Sequence, residues 1–249
     1  MEWIDEAVVL SRRRHGETAL IVHLLTRDHG RHAGLVPGGA GRRGGSLWQP
    51  GNHVSCRWRA RLAEHLGTVS GEPLRAYAAL LLDDPLRLAA AASAAALVDA
   101  ALAEREPHPA LFHALCALLA ALASDAEPGD WGAAYVGWEV GLLRELGFGL
   151  DLSACAVTGR PDDLAWVSPR TGRAVSAEAG TPYGDRLLRL PAFLTAGRGT
   201  GEIADILAGL ALTGHFLSRH GIARAGSGLP VARDRLVTGF QRLSTTCGG

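Results

Sequence analysis

The runs Ile4–Arg13 (IDEAVVLSRR), Ala19–Thr26 (ALIVHLLT) and Arg31–Val36 (RHAGLV) follow one another, with His15-Gly16 and His29-Gly30 in the gaps. Short stretches rich in branched aliphatic residues, punctuated by turn formers, read as consecutive strands of a meander. After a glycine-rich loop, Gly38–Gly45, the pattern resumes with Asn52–Leu62 and His65–Val69. Five short strands suit a small closed barrel, and the OB-type barrel is the common five-stranded one, with an SH3-like barrel as the competing small fold.

Beyond Pro73 the composition turns to Ala and Leu, and helical periodicity takes over in Leu86–Glu104, Pro109–Ala123 and Trp131–Leu146. Asp84-Pro85 and His108-Pro109 supply starts, because proline is tolerated in a first turn where its missing N–H has no helical partner. Gly147 supplies a stop. Residues 148–182 lose the helical period and read as an irregular β-hairpin insert, with turns at Asp162-Asp163 and at Pro169–Gly172. Two further helices are expected near Thr200–His220 and Arg233–Arg242. The expected fold class is therefore α+β and multidomain. It comprises a barrel over 1–75, a helical domain in two parts (76–147 and 183–243) around the insert at 148–182, and a tail at 244–249. The Ala-rich stretch 85–103 is interrupted by Arg87 and Asp99 and is too weakly apolar for a membrane span.

The 249 residues carry no formal net charge, which argues against a dedicated polyanion binder unless the charge is unevenly placed. It is uneven. Residues 1–75 hold 11 Arg against 7 acids, whereas 76–249 hold 14 Arg against 18 acids. Every one of the 25 basic residues is Arg. The cysteines Cys56, Cys116, Cys155 and Cys247 lack paired spacing and no signal-peptide pattern is read before them, so a reducing cytoplasm is the expected compartment.

Within the barrel, side chains of Val54–Leu62 alternate across the strand, so Arg57, Arg59 and Arg61 share one face and Val54, Cys56, Trp58 and Ala60 the other. Adjacent guanidinium groups repel unless an anion neutralises them, and a phosphate backbone does so while releasing counterions. The alternative is a solvated barrel exterior. Arg12, Arg13 and Arg14 end the first strand, and Arg42 and Arg43 sit in the glycine-rich loop; residues 11–61 hold 10 Arg against only Glu17 and Asp28. Trp48 follows that loop, where it either stacks on a nucleobase or caps the barrel. The expected nucleic-acid-binding set is Arg12, Arg13, Arg14, Arg42, Arg43, Trp48, Arg57, Arg59 and Arg61. The same loop spells GxGxxG through Gly39, Gly41 and Gly44, but Leu47–Gly51 (LWQPG) breaks any helix behind it, so a flexible arm is expected rather than a dinucleotide site.

No catalytic constellation is legible. There is no GxSxG or SxxK, and the acidic pairs Asp83-Asp84 and Asp162-Asp163 lie in turns beside proline. Cys155 has Thr158 at the CxxC position, and neither His nor a second Cys occurs from Gly147 to Leu210, so no zinc or other cofactor is expected.

The opening Trp3–Leu10 (WIDEAVVL), Leu47–Asn52 (LWQPGN), and Trp58–Leu62 (WRARL) with Leu66-Gly67 resemble the barrel of the RecO family. The run Cys155–Gly159 (CAVTG) and Leu164–Val175 (LAWVSPRTGRAV), with Leu190-Pro191 and Phe193-Leu194 further on, is similar to the insert of a cysteine-poor branch of that family; other members carry four cysteines there and bind zinc. The resemblance implies an OB-fold joined to a helical domain. It also implies a non-enzymatic mediator of DNA repair and recombination in the RecF pathway, cytoplasmic and nucleoid-associated. Such a protein binds single- and double-stranded DNA, anneals complementary strands and helps load recombinase onto DNA covered by single-strand-binding protein. RecR and the acidic C-terminal tail of single-strand-binding protein are the implied partners, with no membrane and no small-molecule substrate. An RNA-binding OB module and an adaptor that docks an acidic protein remain the alternatives.

Overall fold

The structure, a computed structural model, describes residues 1–62, 64–195, 201–220 and 228–246, without the side chains of Arg43 and Thr246. It divides into two compact units, Met1–Ser124 with Pro230–Arg233, and Asp125–Leu229 with Asp234–Gly249.

The first unit opens with a closed barrel of β1 (Glu2–His15), β2 (Ala19–Thr26), β3 (Gly30–Val36), β4 (His53–Arg59) and β5 (Thr68–Arg75), in the order β1-β2-β3-β5-β4. The long first strand closes it. Its front half pairs antiparallel with β4, from Glu2 opposite Arg59 to Val8 opposite His53, and its rear half pairs with β2, from Ala7 opposite Thr26 to His15 opposite Ala19. A register shift between Val9 and Ser11 lets one strand serve both neighbours. On the far side, β3 meets β5 in parallel at Leu35 and Thr68. Inward positions fill the core with Ala7, Val9, Leu20, Val22, Leu24, Val54, Cys56, Trp58 and Val69, and Trp48 joins them.

β1 and β3 extend slightly beyond their expected bounds, and β4 and β5 depart further. β4 ends at Arg59 rather than Leu62, and β5 begins at Thr68 rather than His65. The reason is a turn at Gly67, whose φ of 66° brings the Leu66 carbonyl to 3.0 Å from the Trp58 indole N–H. Satisfying the buried indole fixes where the two strands can start and stop.

Helices α1 (Arg42–Leu47), α2 (Tyr77–Leu80), α3 (Pro85–Ala101) and α4 (Pro109–Leu122) complete this unit. Asp84 caps α3 as its sequence signalled, accepting from the N–H groups of Leu86 and Arg87 at 3.0 Å each.

The second unit holds α5 (Pro128–Glu145), α7 (Ile203–Arg219) and most of α8 (Val231–Thr246). Trp131 of α5 packs on Phe240 of α8, ring centroids 5.1 Å apart. Where α5 meets α7, a Cβ on Gly209 would lie 2.7 Å from a methyl of Val136, so only glycine permits that approach. Between α5 and α7 come β6 (Leu164–Val167), β7 (Ala174–Ser176), the short α6 (Ala177–Gly180) and β8 (Leu188–Arg189). β6 and β7 form the expected hairpin, and β8, from beyond residue 182, adds a third strand on its other side. Among the described residues no helix is long and apolar enough to cross a membrane.

Candidate nucleic-acid interface

The end of β1 and the loop after β3 come together around a cleft of about 400 Å³. It is lined by Arg12, Arg13, Arg14 and Arg42, with Leu20, Ala40, Gly41, Gly45 and Gln49. Among the described residues no carboxylate lines it. Arg12 is half-buried and donates from Nη1 to the Gly45 carbonyl, which ties the strand end to the loop; Arg13, Arg14 and Arg42 are exposed. The loop is not the expected flexible arm. It turns through Pro37–Gly41 into α1, and a Cβ on Gly44 would lie 2.5 Å from the Gly39 carbonyl oxygen, so the glycines let the loop fold on itself. A helix thus does open inside the GxGxxG, contrary to expectation. The dinucleotide reading still fails, because α1 has only six residues and the strand after it pairs antiparallel with β1 instead of closing a βαβ crossover.

The β4 face is a different place. Val54, Cys56 and Trp58 point into the core and Arg57 and Arg59 outward, as alternation requires. Yet these two guanidinium groups are not open to solvent anions alone. Glu2, directly opposite Arg59 on β1, accepts from Arg57 Nη1 at 2.6 Å and from Arg59 Nε and Nη2 at 3.0 and 2.8 Å. Arg61 is exposed in the turn beyond the strand and is no part of its alternating face. From Glu2 to Arg12 runs roughly 33 Å of strand at ~3.3 Å per residue, so the cleft and the β4 face sit toward opposite ends of β1.

The local excess of Arg is smaller in three dimensions than along the chain. Arg27 reaches Asp28 at 3.0 Å and Glu6 at 3.5 Å, and Arg31 reaches Asp99 at 2.8 Å and Glu104 at 3.4 Å. With Arg57 and Arg59 on Glu2, four of the nine arginines in 11–61 whose side chains are described are paired, mostly to carboxylates from outside that window. Sequence reading missed Glu2 because its partners lie more than 50 positions away, and only strand register reveals them.

Trp48 must be corrected. It is 2 % exposed within the barrel core and offers no face to a nucleobase. The side chain of Arg43 lies outside the described residues. Near the cleft, and sharing Gln49 with it, an apolar groove of about 660 Å³ is lined by Leu47, Pro73, Ala76, Ala79, Leu82 and Leu88 among others.

A second polar cluster joins the barrel to α3. The Asp99 carboxylate accepts from Ser11 Oγ at 2.7 Å and Arg31 Nε at 2.8 Å, and His23 Nδ1 lies 2.7 Å away. Burial raises the Asp99 pKa, but the hydrogen bonds from His23, Ser11 and Arg31 outweigh it and hold the carboxyl at about 2. Ser11 donates its hydroxyl hydrogen to Asp99, so it is not paired with His23 as nucleophile with base.

Two family profiles match the chain, Recombination protein O N terminal over residues 1–77 and Recombination protein O C terminal over 82–224. The DNA repair protein RecO of Rhodospirillum centenum is 58 % identical over 250 residues, covering 100 % of this chain and 98 % of that protein. The chain belongs to the RecO family. The RecO proteins of Phenylobacterium zucineum and Rhodospirillum rubrum are 53 % and 50 % identical, each over at least 95 % of this chain and 98 % of the relative.

The RecO insert of this chain does not fit the zinc that the four-cysteine members carry. Cys155 opens a tight turn, with its N–H on the Arg160 carbonyl at 2.7 Å and its carbonyl taking the Gly159 N–H at 2.8 Å. Its Sγ is met by the Ser176 N–H at 3.3 Å and the Ser176 hydroxyl at 3.5 Å, but a single thiol falls short of the four ligands that a closed zinc site needs. Among the described residues no group of three or more His, Cys, Asp or Glu side chains is placed to hold a metal.

Proposed function

We propose that this RecO-family chain is a DNA repair and recombination mediator that binds single- and double-stranded DNA chiefly through the arginine cleft. The observation that carries this is the convergence of Arg12, Arg13, Arg14 and Arg42 on a concave surface that, among the described residues, no carboxylate lines. Phosphate oxygens are the acceptors such a cleft lacks, and bidentate guanidinium contacts suit them. Neutralising the phosphates of two strands lowers the repulsion that opposes their pairing, which is how the protein anneals complementary DNA without making or breaking a covalent bond. The chain is accordingly not an enzyme. The same reading extends to loading of recombinase onto DNA covered by single-strand-binding protein, with RecR as partner, and membership of a DNA repair family supports it. An acidic protein tail with apolar side chains suits the groove that shares Gln49 with the arginine cleft.

The test is binding of labelled single-stranded DNA across a salt series, with Arg13→Ala/Arg14→Ala/Arg42→Ala beside the wild type. Each lost phosphate contact reduces the slope of log affinity against log salt by about 0.7 on a single strand, so the triple variant is expected to lose about 2 from it. A triple variant with unchanged slope removes the cleft from the interface, and a wild type that binds no DNA removes the reading itself.

A further inference from the structure

Two exposed arginines on adjacent outward positions of β4 would repel each other in isolation, and the fold places an anion between them. Pairing of β1 with β4 sets Glu2 opposite Arg59 and Ile4 opposite Arg57. The Glu2 carboxylate therefore bridges both guanidinium groups, one oxygen on Arg57 at 2.6 Å and the other on Arg59 at 3.0 and 2.8 Å. Two oxygens of one anion on two neighbouring guanidinium groups is the arrangement a bridging phosphate would present. The side chains are 34 % (Glu2), 52 % (Arg57) and 66 % (Arg59) exposed, so a strand can reach them from solvent. Exposed ion pairs contribute little to stability, so opening this one leaves the barrel intact. These hydrogen bonds also hold the Glu2 carboxyl below its ordinary value, keeping it charged.

We propose that Glu2 is a built-in stand-in for a backbone phosphate: it holds Arg57 and Arg59 together as a phosphate-ready pair and competes with nucleic acid for them. DNA engages this face only by displacing the carboxylate, so Glu2 weakens the β4 face relative to the arginine cleft and limits how tightly one strand is held. The inference rests on the DNA-binding reading above. No bond chemistry is involved; one anion replaces another.

The test uses the full-length protein and a labelled single-stranded oligonucleotide, with wild type, Glu2→Gln, Arg57→Ala/Arg59→Ala, and the three substitutions combined. Glu2→Gln keeps the size of the side chain and removes its charge, and an unchanged Tm confirms that the barrel is preserved. Freeing one further charge is expected to steepen the salt slope by about 0.7, which at 0.1 M salt amounts to about fivefold tighter binding. In the Arg57→Ala/Arg59→Ala background the same Glu2→Gln change is expected to have no effect, since nothing is left to release. A gain that persists in that background makes Glu2 a general surface charge and overturns the proposal. Unchanged or weaker binding by Glu2→Gln, while wild type still binds with a steep salt slope, overturns it too and leaves the DNA-binding reading standing. A wild type that binds no DNA overturns both.

Discussion

His23 on β2 and Asp99 on α3 lie 2.7 Å apart, ring nitrogen to carboxylate, and so join the barrel to the first long helix. Ser11 and Arg31 complete the environment of the same carboxylate, whose side chain is only 19 % exposed. Asp99→Asn removes the charge and leaves the buried Arg31 guanidinium short of its main partner. It is expected to lower stability by about 2–3 kcal/mol, measured by urea unfolding at pH 7. Equal stability of variant and wild type would show that the cluster is spectator to folding.

The pH dependence of that contribution follows from the Asp99 pKa of about 2, below its ordinary 3.8. Above about pH 5 both folded and unfolded chains carry the carboxylate ionised, and the stabilisation is fully present. Between about pH 5 and pH 2 the unfolded chain binds the proton first, so stability falls with pH through that window. Asp99→Asn is expected to flatten this acid limb, visible as a shallower decline of urea midpoint with falling pH.

His32 contributes at higher pH. It is buried against Trp3 and Trp58, with ring centroids 5.0 Å from each, and its Nε2 has no hydrogen-bond partner. Burial pushes its pKa below 6.5, with Arg105 and His29 adding to the effect against the His29 carbonyl bond and Glu104. The folded barrel keeps the ring neutral while the unfolded chain takes up a proton below pH 6.5, so stability drops as pH falls through 6.5 toward the depressed folded value. His53, also lowered by burial, acts in the same direction. His32→Phe should unfold with less change in midpoint between pH 7.5 and 5.5 than wild type; an identical pH response in the two proteins excludes the role.

How much of this the sequence disclosed depends on the distance over which each feature is decided. β2 appears with its expected bounds, Ala19–Thr26, and α4 begins at Pro109 as expected, because alternation and a proline at a helix start are local signals. The arginines of the cleft were legible too, since Arg12–Arg14 are contiguous and Arg42 lies in a loop marked by glycine. The state of Arg57 and Arg59 was not, because it depends on Glu2, which reaches them only through the pairing of β1 with β4. For the same reason Arg31, counted as basic surface along the chain, is bound to Asp99 of a helix that begins 54 residues later.

Trp48 offers a direct contrast between packing and binding. An indole 2 % exposed in the core cannot stack on a base while the barrel is folded. Trp48→Phe is expected to retain wild-type affinity for single-stranded DNA, whereas Trp48→Ala loses about 3–5 kcal/mol of stability through the cavity it leaves. A Trp48→Phe protein that is folded, by circular dichroism, but binds DNA an order of magnitude more weakly would return the residue to the interface.

The insert yields the last prediction, because hydrogen bonds to its one cysteine tie a turn to a strand. Cys155 takes the N–H and hydroxyl of Ser176, and those bonds fasten the turn at 155–160 to β7 within a buried site. With one cysteine and, among the described residues, no ligand cluster that could hold a metal, chelator has nothing to extract: the Tm is expected to be the same with and without EDTA, and metal analysis of the purified chain should find well under one zinc per molecule. Cys155→Ala, by contrast, strands the Ser176 donors and is expected to lower stability by about 1–2 kcal/mol. One equivalent of zinc, lost together with stability on chelation, would mean that ligands other than cysteine hold the insert, and the Ser176 contacts would then be incidental to its fold.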